Sequence, residues 1–283
     1  GHAKDMMNTC RANNTKLVIG HQRRFLPSYN KARQLITEGA IGEALLIRSR
    51  TGDGLHNQAS HLMDMFRYLL GDIDCEWVIG NVERLTDKFE RNIRVEDKAV
   101  GLFGFPDGAR AMVEADLDKN RTLYQGGVIS GSEGMIELFP DRLRLLNAST
   151  DGKWKEMAPR GKFFKAQDSS FENLEGCSAQ ADELADWIEG KIDTHRGEAT
   201  HGYKALEMVI AIHESARVHQ QVMLPVQTRA QPIDVMVETG HLPVAFPGKY
   251  DIRSRPPKAF EIMGGMRSAL AEGAKTRPAN PDK

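Results

Sequence analysis

Apolar positions recur along this chain with two different periods, and the change of period divides it. Between residues 3 and 13, Met6, Met7 and Cys10 fall at helical spacing, Asn13 and Asn14 stop the run, and residues 16–20 (KLVIG) read as a short buried strand. Pro27 suits the first turn of a helix. Tyr29, Ala32, Leu35 and Ile36 then recur at steps of three and four until Gly39, which predicts a helix over 27–38. Residues 44–50 alternate as a strand does, and the Gly-rich loop 51–54 leads to a helix over about 58–70, closed by Gly71.

From residue 75 to 147 the period is two. Strands are predicted over 76–84, 99–105, 109–117, 124–130, 135–139 and 142–146, which makes a mostly antiparallel sheet. Pro106-Asp107-Gly108 is hairpin chemistry. Ala111, Val113, Ala115 and Leu117 alternate with Met112, Glu114 and Asp116, giving one apolar and one mostly polar face. Gly131 and Gly134 read as a tight turn needing positive φ. Residues 148–176 are polar and irregular, whereas 178–190 and 203–220 are amphipathic helices. Beyond Val226, with Pro232, Pro243, Pro247, Pro256 and Pro257, an extended tail is expected, holding a short helix over 263–274 and a disordered end over 277–283.

Composition narrows the function. At 283 residues the chain is long enough for one large domain or two small ones, at roughly 100–200 residues each. No apolar run approaches the about 18 residues of a membrane helix. A net charge of -1 leaves no field to gather nucleic acid. Cys10, Cys75 and Cys177 form neither a disulfide framework nor a zinc pattern, which fits a reducing, cytoplasmic setting. The N-terminus has neither a signal-peptide pattern nor an initiator Met, so the chain reads as processed or as a fragment.

Two short segments carry candidate chemistry. His61 and Asp64, three apart, share one face of the predicted helix, with His56 and Asn57 just before them. This pattern suits a capped helix with a structural His, a general base with an ordinary pKa of about 6.5, or a metal site that lacks a third ligand. Residues 21–25 (HQRRF) follow directly after the predicted strand, where open α/β sheets bind ligands; alternatively this is a connecting loop whose arginines pair with acids. His195, His201, His213 and His219 show no metal-ligand spacing and are assigned to surface or helix packing. No G-x-G-x-x-G or Walker pattern occurs, so Gly126, Gly127, Gly131 and Gly134 are not read as a phosphate cradle.

The order of KLVIGHQRRFLPSYNKARQLITEGAIGEALLIR, GDGLHNQASHLMDMFRYLLGD, VEDKAVGLFGFPDGARAMVEADL and ISGSEGMIEL resembles the glucose-fructose oxidoreductase, inositol dehydrogenase and rhizopine catabolism family of NAD(P)-dependent oxidoreductases. The resemblance runs from the first residues to about Val226, and residues 232–253 also look like family endings. It implies an α/β fold: residues 1–25 as the end of a Rossmann domain, 26–227 as an α+β substrate-binding and oligomerisation domain whose open, mostly antiparallel sheet packs against helices, and 228–283 as the tail.

The resemblance further implies hydride transfer between NAD or NADP and a secondary alcohol of a sugar, inositol or related polyol. His61 stands at the family's catalytic His, Asn57 where an Asp is common, and Asp64 at a following Asp. Asn57, Asp64, His56 and Arg24 would bind substrate, and His21, Gln22 and Arg24 would line the cofactor cleft; no metal is implied. The family's Gly-rich loop and catalytic Lys would lie upstream of Gly1, so the chain as it stands is expected to bind dinucleotide poorly. A homodimer or homotetramer through the sheet face is expected. The same fold also serves a galactose-pathway repressor, so a non-catalytic binding protein or partner subunit is the rival reading.

Overall fold

The computed structural model describes residues 1–52, 54–117, 126–164 and 171–251, and in them the period-two segments form a nine-stranded sheet. Helix α1 (His2–Ala12) and helix α2 (Pro27–Thr37), with Pro27 in its first turn, precede strand β1 (Ala44–Thr51). A π-helical turn over Gly54–Ala59 runs into α3 (Ser60–Leu69). Then come β2 (Trp77–Glu83), β3 (Thr86–Glu90), β4 (Ile93–Arg94), β5 (Lys98–Gly104), β6 (Arg110–Ala115), β7 (Gly127–Gly131), β8 (Gly134–Leu138), β9 (Leu143–Asn147) and β10 (Lys155–Met157). The chain continues through α4 (Phe171–Ile188), α5 (Ala199–Val218), β11 (Val222–Met223), α6 (Pro232–Glu238) and β12 (Phe246–Asp251).

The sheet order is β10-β9-β8-β7-β1-β6-β5-β2-β11. Within this nine-stranded sheet β1 and β6 run parallel, and the other neighbouring strands are antiparallel. The mixed sheet packed with helices is an α/β fold. Alternation sets its faces: Ala111, Val113 and Ala115 are buried while Met112 and Glu114 between them are half-buried. Helix α5 lies on the buried face because glycines make room for it. A Cβ on Gly80 would stand 2.8 Å from Ile212 Cγ2, and one on Gly101 would stand 2.7 Å from Ile212 Cδ1.

Five expectations need correction. Residues 16–20 form no buried strand; Val18 makes a single bridge to Glu198, and Ile19 N–H donates to Gly197. The apolar triplet 17–19 is only half-buried, because its backbone partner is the approach to α5 rather than a strand in a sheet. Gly131 and Gly134 are not positive-φ turn residues. Cβ atoms there would meet Ile41 O at 2.1 Å and Leu146 O at 2.6 Å, so close approach is what requires glycine. Leu117 lies past the end of β6 and is exposed. The polar stretch 148–176 contains β10 and the start of α4. The tail is not wholly extended: α6 docks Ile233 and Met236 on Ala216, a pattern too short for periodicity to reveal. The expected helix over 263–274 and disorder over 277–283 lie outside the described residues.

Candidate active site

The segments singled out from sequence meet at the start of α3. Residues Gln22–Phe25 form one 3-10 turn, and it packs where α3 begins. His21, at its N-terminal edge, places its ring centroid 5.0 Å from that of His61. His21 Nδ1 stands 3.5 Å from Asp64 Oδ2, and the spacing of three between His61 and Asp64 turns both toward this loop.

Arg24 locks the loop to the helix. Its Nε and Nη2 donate to the two carboxylate oxygens of Asp64 at 2.6 and 2.7 Å, a fork-on-fork pair, and its Nη1 donates to Asp72 Oδ1 at 2.7 Å. Arg24 is 1% exposed and Asp64 0%, so the pair is fully desolvated. Burial alone would raise the Asp64 pKa; the neighbouring His21 and the Arg24 guanidinium outweigh it and hold the carboxyl well below its usual range.

His61 is pushed down to about 3, first by burial and then by His21 and Arg23, with Asp64 acting the other way. It is therefore neutral at pH 7. Its Nδ1, His21 Nδ1 and His56 Nε2 are buried without a hydrogen-bond partner among the described residues. Buried polar atoms of this kind call for a ligand or another partner.

Of the remaining candidates, Asn57 sits in the π-helical turn, where its carbonyl accepts from Ser60 Oγ at 2.7 Å. Gln22 is turned elsewhere. It backs onto α4, where a Cβ on Gly176 would meet Gln22 O at 2.8 Å. His56 joins a second cluster that sequence reasoning missed. Glu96 Oε1 accepts from Leu55 N–H at 2.7 Å, and His213 Nε2 lies 2.9 Å from Glu96 Oε2. The His213 ring is 5.3 Å from that of His56. Burial would raise Glu96, but the hydrogen bond and charge of His213 and the Leu55 amide hold it down at about 2. His56 falls to about 4, from burial first and then the nearby His213. The signal available for His213 was its place after the apolar run 208–212, which marks a helix buried on every side. Among the described residues no group of three or more His, Cys, Asp or Glu is arranged to hold a metal, and no helix is long and apolar enough to cross a membrane.

Comparison with known proteins bears on the fold. Residues 51–137 match the model of the GFO/IDH/MocA C-terminal domain. No curated protein sequence matches the chain. An oxidoreductase from Agrobacterium radiobacter, solved with NAD+, L-tartaric acid and magnesium, is similar with a TM-score of 0.63 at 20% identity, over 78% of this chain and 68% of that one. A levoglucosan dehydrogenase solved with NADH and levoglucosan gives 0.62 at 22% identity, over 79% and 70%. The WlbA dehydrogenase from Bordetella pertussis, solved with NADH and UDP-GlcNAcA, gives 0.60 at 20% identity, over 80% and 69%. At these identities the likeness is one of fold.

Proposed function

Because residues 51–137 match the model of the GFO/IDH/MocA C-terminal domain, we propose that this chain carries the substrate side of a nicotinamide-dependent oxidoreductase acting on a secondary alcohol of a sugar, inositol or related polyol. The observation that carries the reading is His61: neutral, half-buried, its Nδ1 buried without a partner, and facing His21 at the meeting of two segments. The ligands of the similar structures, NADH with levoglucosan or with UDP-GlcNAcA and NAD+ with L-tartaric acid, support the same reading.

The residues present fit one end of such a cofactor. His61 offers an unpartnered ring nitrogen to a hydroxyl, with His21, turned to Asp64 at 3.5 Å, beside it, while no Gly-rich phosphate loop occurs in the sequence. Bound nicotinamide supplies the hydride acceptor or donor; NAD and NADP both suit this reading. His61 accepts a hydrogen bond from the substrate hydroxyl and takes its proton as charge develops on oxygen. Held near 3, His61 is a weak base but stays neutral at pH 7, the form that can accept the hydroxyl proton in the oxidative direction. Asn57 has no proton to exchange and orients a hydroxyl. Arg24, closed on two carboxylates, holds the loop that presents His21, and Gln22 anchors the same loop to α4.

His61→Ala in the intact protein should lower kcat by roughly 10²–10⁴-fold with a much smaller change in KM. Unchanged turnover of polyols with NAD(P) would remove His61 from the mechanism. The rival non-catalytic reading draws on Asn57, which stands where a proton-carrying Asp is common; there His61→Ala leaves partner binding intact. We also place the molecule in the cytoplasm and assign self-association to the open sheet face, where Val100, Leu102 and Met112 lie among charged pairs such as Arg50–Glu114 at 3.0 Å. A monomer by light scattering at micromolar concentration would count against that.

A further inference from the structure

The entry to α3 is a π-helical turn, a rare form that persists where surrounding contacts hold it and that recurs at functional sites. Its first backbone amides are held by carboxylates from elsewhere in the fold. Gly54 N–H donates to Asp116 Oδ2 at 2.8 Å and Leu55 N–H to Glu96 Oε1 at 2.7 Å. Gly54 has φ +75°, and a Cβ there would stand 3.3 Å from Glu96 Oε1, so glycine lets the turn close on the acid. Glu96 and His213 are each 0% exposed, and their hydrogen bond of 2.9 Å ties the turn to α5. Helix α5 is itself fixed at the adjoining residue, where Ile212 fills the space above Gly80 and Gly101. A continuous set of contacts therefore runs from the sheet through Ile212, His213 and Glu96 to Leu55, five residues before Ser60 opens α3 and six before His61.

We propose that Glu96 and His213 are positioning residues of the candidate site: a buried carboxylate–imidazole pair that holds the π-helical turn, and through it His61, in place against His21. Neither touches the ring of His61, and neither exchanges a proton with substrate. The choice of groups follows from the demands on the site. A buried carboxylate makes a stronger, shorter bond to a backbone N–H than a neutral acceptor does. Buried this deeply it persists only with a donor to share its charge, and His213 is that donor. The imidazole has a consequence for its neighbour too: His213 faces His56 and helps keep that ring neutral, so the turn carries no charge of its own toward His61.

The proposal rests on the oxidoreductase reading for its kinetic arm only. Amide hydrogen exchange on the intact protein tests the positioning directly. In Glu96→Ala the Leu55 amide and the segment 54–59 should exchange at least about tenfold faster, with the centre of α5 unchanged; in Glu96→Gln, which retains an acceptor oxygen, most protection should return. In turnover assays Glu96→Ala should lower kcat by about tenfold or more with little change in KM, and Glu96→Gln should recover most of it. His213→Gln should fall between the two. Unaltered protection of 54–59 in a folded Glu96→Ala protein overturns the proposal, as does equal loss in Glu96→Gln and Glu96→Ala. If the wild type turns over no polyol while the exchange pattern is as expected, the functional reading fails and the positioning stands.

Discussion

Among the described residues two carboxylates, Asp64 and Glu96, are 0% exposed, yet the molecule compensates them in opposite ways. Asp64 is gripped by the two-pronged guanidinium of Arg24, a cation at every accessible pH, which a second acid, Asp72, shares. Glu96 is held by an imidazole and a backbone amide, donors whose charge is conditional or absent. The first arrangement fastens one segment to another; the second tunes a local turn. The difference is that of a rivet and a hinge pin.

The comparison predicts unequal costs. Arg24→Ala leaves Asp64 charged at 0% exposure with only His21 beside it, and removal of one partner from a buried pair costs about 3–5 kcal/mol. Arg24→Lys should recover little, since an ammonium cannot reach both oxygens and Asp72 together. Glu96→Gln keeps an acceptor for Leu55 and should cost about 1–2 kcal/mol. Urea unfolding at pH 7 reads both, and a Glu96→Gln loss as large as that of Arg24→Ala would erase the distinction.

Acid should act mainly through the histidines. His61 near 3 and His56 near 4 lie below the unfolded value of 6.5. Between those limits the unfolded chain binds protons that the folded chain refuses, so stability falls as pH drops below about 6.5 and these groups contribute nothing further above it. Each contributes at most about 1.4 kcal/mol per pH unit within its window. Glu96, near 2 against an ordinary 4.5, adds a loss of the same sign only below about 4.5. Loss of stability between pH 6.5 and 5 that His56→Leu diminishes is the expected outcome, read from urea midpoints across that range. A flat profile down to pH 5 would show that both rings take up protons in the folded state.

What sequence could convey follows from the range of the interactions. Helix α2 and strands β1, β5 and β6 announce themselves through local period, and His61 with Asp64 through a spacing of three. Of the two readings of residues 21–25, the pairing of an arginine with acids is seen at Arg24, and His21 stands beside His61. The particular acids, 40 and 48 residues away, could not be named in advance because such pairing depends on how α3 packs. Glu96 and His213 stand 117 residues apart and no local rule joins them. Residues 16–20 mislead for the opposite reason: a short apolar run, Leu17 to Ile19, makes a strand only when another strand lies beside it, and here the partner is the lead-in to α5.

The smallest effect marks where the riveted region ends. Arg33 Nη1 donates to Asp72 Oδ2 at 2.7 Å, and its guanidinium lies 4.4 Å from the centre of the Tyr68 ring. Drawn as contacts, Arg33 looks like a second Arg24. But its side chain is 30% exposed and that of Asp72 22%, so water solvates both charges and takes up what either partner loses. Asp72 also keeps Arg24 when Arg33 is gone. Arg33→Ala should therefore cost about 0.5–1 kcal/mol, most of it recoverable with Arg33→Lys, which restores the charge and the cation over Tyr68. A loss approaching that of Arg24→Ala would mean that the two arginines act as one unit, and that burial of the inner pair depends on the outer one.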